Sequence, residues 1–72
     1  MNYFKDLTEI IVKLIENSPE GLTTEQIVKE LLTQGVSPYI ARKVLADMVV
    51  NGRLQKAPKE RISKMVFKVK NH

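Results

Sequence analysis

Nine of the twelve Lys and Arg residues in this 72-residue chain fall after residue 41: Arg42, Lys43, Arg53, Lys56, Lys59, Arg61, Lys64, Lys68 and Lys70. Only Asp47 and Glu60 oppose them, a net +7, whereas residues 1–41 set Lys5, Lys13 and Lys29 against six acids, a net −3. Such side chains bond and neutralise phosphates and carboxylates, so the C-terminal half is a candidate polyanion surface. Solvated lysines that keep a chain soluble are the plainer reading, and the elements that position the charges decide between the two. Catalysis lacks its parts: the single histidine is His72, there is no cysteine, and the acids lie mainly on outward helix positions. Ser18, Ser37 and Ser63 read as a turn, a cap and a strand residue, and Gly21, Gly35 and Gly52 stand alone at turns rather than in a phosphate loop. A non-enzymatic chain without metal or cofactor is expected, and no small-molecule ligand is evident.

Seventy-two residues allow one domain, residues 1–72, whose core must hold by packing because no disulfide is available. The longest apolar runs, Ile10–Val12 and Met48–Val50, are far short of the ~20 residues a membrane span needs. The start Met1-Asn2-Tyr3-Phe4-Lys5-Asp6 lacks the basic and apolar regions of a secretory signal, so a cytoplasmic location is expected.

Leu7, Ile10, Ile11, Leu14 and Ile15 recur at helical spacing and predict a first helix from residue 3 or 6 to 16, with Asp6 and Glu9 as a capping pair. Thr23 or Thr24 caps a second helix over 24–33, Gln26 completes a box with Thr23, and Gly35 ends it. Ser37 as cap and Pro38 at the first position open a third helix over 38–50, closed by Asn51-Gly52. On its wheel Ala41, Val44, Leu45 and Met48 share the inner face, while Tyr39, Arg42, Lys43, Ala46 and Val50 point the other way. Beyond Gly52 the period becomes two. Met65, Phe67 and Val69 alternate inward against Lys64, Val66, Lys68 and Lys70, predicting a hairpin of strand 53–56, loop 57–62 and strand 63–70. Pro58 is placed in the loop because proline cannot donate to a ladder. Lys68 and Lys70 read as charges that guard a sheet edge.

This order, with Gly21-Leu22-Thr23-Thr24-Glu25-Gln26-Ile27-Val28, Val36-Ser37, Val44-Leu45, Met48-Val49 and Asn51-Gly52-Arg53-Leu54, resembles the winged helix-turn-helix superfamily over nearly the whole chain. The resemblance implies an α+β fold: a three-helix winged helix-turn-helix with a C-terminal two-stranded β-hairpin wing, and a short strand at the leucine before helix two. It also implies that helix three enters a DNA major groove while the wing touches the backbone. Ser37, Tyr39, Arg42, Lys43 and Ala46 then face the groove, and Lys56, Lys59, Arg61 and Lys64 line the wing. The expected function is that of a small double-stranded DNA-binding protein, a transcriptional regulator or nucleoid-associated factor. Its specificity needs a homodimer, through helix one, or a larger partner. The alternative is a protein-interaction module that presents Tyr39, Ala46 and Val50 to a partner's groove.

Overall fold

The computed structural model describes residues 3–58 and 65–69. Three helices, α1 (Tyr3–Glu16), α2 (Thr24–Thr33) and α3 (Pro38–Val50), precede two strands, β1 (Leu54–Pro58) and β2 (Met65–Val69), which pair antiparallel. The fold is therefore α+β, three helices and a C-terminal hairpin, as the change of period predicts. No described helix is long and apolar enough to cross a membrane.

The helices form where apolar spacing and caps coincide. Leu7, Ile11 and Ile15 of α1, Ile27, Val28 and Leu31 of α2, and Ala41, Val44, Leu45 and Met48 of α3 are buried in one core with Val36, Leu54 and Phe67. At the start of α2 the Gln26 N–H donates to Thr23 Oγ1 over 3.2 Å and the Thr23 N–H donates to Gln26 Oε1 over 2.9 Å. The box is closed on both sides, worth about 1 kcal/mol to the helix. Ser37 Oγ likewise accepts from the Ile40 N–H at 3.3 Å, with Pro38 at the first helical position.

At the far end of α3 the Arg53 N–H donates to the Met48 carbonyl and the Gly52 N–H to that of Val49, at 2.9 and 3.1 Å. This paired closure needs a left-handed residue, and Gly52 supplies it at φ +78°. The turn delivers Leu54, 2% exposed, into the core and so fixes where the hairpin begins.

Three expectations are corrected. Helix α1 begins at Tyr3, so Asp6 sits inside its first turn, where it faces the positive end of the helix dipole, and is no cap. Strand β1 runs through Ala57 and Pro58, residues assigned to the loop, which pair with Val66 and Met65. The reason lies at Leu22, which forms an antiparallel bridge with Phe67: the Phe67 N–H donates to the Leu22 carbonyl at 2.7 Å and the Leu22 N–H returns to that of Phe67 at 3.4 Å. Phe67 thus aims its backbone groups away from β1. By antiparallel alternation Lys56↔Phe67 and Pro58↔Met65 are non-hydrogen-bonded pairs, and the missing N–H of Pro58 belongs to the outer edge, where nothing is lost.

The third correction concerns the hairpin faces. Phe67 is buried, as the alternation predicts, but Val66 is 1% exposed while Met65 is 48% exposed. The backbone at Gly21 crosses over Val66: a Cβ built on Gly21 would lie 3.0 Å from Val66 Cγ2 and 2.8 Å from the Phe67 carbonyl oxygen. This segment covers Val66, which alternation had turned outward. The second-strand expectation at Ser63, Lys64 and Lys70, and the loop at 59–62, lie outside the described residues.

Candidate nucleic-acid interface

Helix α3 has two faces fixed by the same packing. Ala41 is fully buried and Val44, Leu45 and Met48 nearly so, which leaves the helix no freedom to roll. Its other side is therefore presented at a set angle. Tyr39, Arg42, Lys43 and Ala46 are all exposed there, together with the capping residue Ser37. Each groove-facing residue expected from the sequence is on this surface. Asp47, the acid within α3, turns sideways to line a separate hollow with Thr8, Asn51 and Arg53.

The hairpin contributes a second arm. Lys56 projects from β1 into solvent, and its Nζ lies 5.3 Å from the centroid of the Phe67 ring across the ladder. That pairing follows from the register, because the closer, non-hydrogen-bonded pairs bring facing side chains together. The ring attracts the ammonium, and both residues line the same space as α3.

Between the two arms runs a cleft of about 340 Å³, lined by Thr24 at the start of α2, Arg42, Leu45, Ala46 and Val49 of α3, and Lys56 and Phe67 of the hairpin. Arg42 and Lys56, fourteen positions apart in the chain, thus flank one space. A neighbouring hollow of about 240 Å³ shares Thr24, Lys56 and Phe67 and adds Thr23, Glu25 and Met65. The acids Glu9, Glu16, Glu20, Glu25 and Glu30 are exposed on or just after α1 and α2. Of these only Glu25 borders this region.

Lys59, Arg61 and Lys64 lie outside the described residues. Thr24, Leu45, Val49 and Phe67 were not foreseen as site residues. Their types signal a helix start and core, and only the cross-strand register places Phe67 beneath Lys56. Among the described residues no cluster of His, Asp or Glu has the makings of a metal site. No family model matches this chain, and no curated protein or solved structure matches it significantly.

Proposed function

We propose that the chain is a small double-stranded DNA-binding protein of winged-helix type, a transcriptional regulator or nucleoid-associated factor of the cytoplasm. The observation that carries this reading is the pairing of Arg42 on a core-locked helix with Lys56 on the hairpin across one open cleft. A thirteen-residue helix is about 20 Å long and fits a B-DNA major groove ~12 Å wide. Arg42 then bonds a guanine edge through its fork, and Lys43 meets a phosphate. The small Ala46 allows close approach and suits contact with a thymine methyl. Ser37 and Tyr39 at the N-terminal end of α3 offer hydroxyls to phosphates, where the helix dipole also favours anions. Lys56, Lys59, Arg61 and Lys64 follow the backbone beside it. One such module reads few base pairs, so specific occupancy requires two half-sites held by a dimer, through α1, or by a partner.

A second reading has its own support. Tyr39 is 73% and Val50 84% exposed, and with Ala46 they make an apolar strip on the outer face of α3 that a protein partner would cover. The two readings separate on salt. Replacing Lys59 and Arg61 with alanine is expected to weaken duplex binding and to lower the slope of log affinity against log salt by about two, since each phosphate contact contributes ~0.9. Filter-binding or anisotropy titrations over a salt series measure it. An unchanged slope removes the wing from the interface.

A further inference from the structure

We propose that the cleft between α3 and the hairpin is a binding site for a small amphipathic anion, a single carboxylate on an aliphatic chain of about ten carbons, and that its occupation competes with duplex DNA. The competition rests on the DNA-binding reading; the anion site itself does not. No small-molecule ligand is evident in the sequence, because the cleft exists only once β1 and β2 are paired beside α3.

Leu45, Ala46, Val49 and Phe67 give the cleft apolar walls, while Arg42 and Lys56 stand among them as its cations. Its volume, about 340 Å³, falls at the small end of the range for small-molecule sites, ~300–1,000 Å³, so it suits a ligand no larger than a single aliphatic chain of about ten carbons. Leu45 and Phe67 are 2% and 3% exposed, so the base of the cleft is part of the rigid core and is preformed.

Among the described residues no acidic side chain lines this space; Glu25 borders the adjoining hollow. The field inside therefore selects an anion over a cation, and the apolar walls select a body that prefers to leave water. The Arg42 guanidinium matches a carboxylate through two parallel N–H donors, and the Lys56 ammonium, drawn toward the Phe67 ring, supplies a second positive charge. A ligand seated there neutralises two cations that the DNA reading assigns to groove and backbone. Linkage requires that DNA in turn weaken the ligand by the same factor.

The test uses decanoate, with decanol as its uncharged counterpart, titrated into the full chain and followed by amide NMR. Saturable shifts confined to Leu45, Ala46, Val49, Lys56 and Phe67 and their neighbours are expected, with decanol binding about tenfold more weakly. Arg42→Gln with Lys56→Gln should bring decanoate down to the level of decanol. Ala46→Trp, a change at an exposed position outside the core cluster, should fill the cleft and abolish the shifts. Absence of saturation, equal binding of the two ligands, or shifts that persist in Ala46→Trp overturns the site. A labelled duplex added in a second arm should be displaced by decanoate. If duplex and decanoate bind together without mutual effect, the competition is overturned. If decanoate binds the cleft and no duplex binds even in its absence, the anion site stands and the DNA reading falls.

Discussion

Gly21→Ala is expected to lower the thermal midpoint of the protein by roughly 12–24 °C, corresponding to about 3 kcal/mol in a domain of this size. Two effects add. Gly21 has φ +80°, a conformation that costs an L-residue about 1–2 kcal/mol. In addition, the new Cβ would stand 2.8 Å from the carbonyl oxygen of Phe67 and 3.0 Å from Val66 Cγ2. The first of these is backbone and cannot swing aside, so the Leu22–Phe67 bridge must open, at about 1 kcal/mol for each hydrogen bond lost. Gly52→Ala is the control. Its φ is +78° but nothing lies within 4 Å of a Cβ there, so only the backbone strain of about 1–2 kcal/mol should appear. Circular dichroism melts of the two variants measure the difference. Equal shifts would contradict the close crossing of the chain over β2.

Arg42→Ala is expected to weaken binding to a preferred duplex by roughly 10- to 100-fold, the ~1–3 kcal/mol that a bidentate base contact provides. The side chain is exposed and lies outside the core cluster, so the fold should be unaffected and the loss should belong to the interface alone. Arg42→Lys keeps the charge but not the fork and should restore only part of the affinity. Lys43→Ala should instead weaken all duplexes alike, because a phosphate contact carries no sequence information. Anisotropy measurements on a preferred and a scrambled duplex distinguish these outcomes. If Arg42→Ala reduces both affinities equally, Arg42 touches phosphate and the base-reading role moves elsewhere on α3.

Much of this architecture is legible in the residues because local signals agree with the global packing. Thr23 with Gln26, Ser37 with Pro38, and Asn51 with Gly52 each mark a helix end by a hydrogen-bonding requirement that no tertiary contact overrides, and the observed bounds of α2 and α3 follow them. The outward face of α3 is readable for the same reason: four buried positions at helical spacing fix where Tyr39, Arg42, Lys43 and Ala46 must point.

The departures all come from contacts made at a distance. Pro58 enters a strand because its partner strand directs backbone groups toward Leu22, a fact invisible in the local proline signal. Val66 is buried on a face where Gly21, forty-five positions earlier, lies against it and where α1 also packs on β2, which alternation along a single strand cannot anticipate. The cleft is of the same kind. Phe67 reads as core, and it is core, yet the register also sets it under Lys56, and it lines the cleft with Val49, making one residue serve packing and site together.

On the proposed reading α3 and the hairpin together grip duplex DNA. The most direct measurement is an amide NMR titration of the labelled protein with a mixed-sequence duplex at low salt, repeated at physiological salt. Shifts concentrated at Tyr39 to Ala46 and around Lys56, weakening but persisting as salt rises, are the predicted result. A duplex that shifts no residue even at low salt, where a half-chain of net +7 should hold any polyanion, would contradict it and turn attention to the apolar strip of Tyr39, Ala46 and Val50.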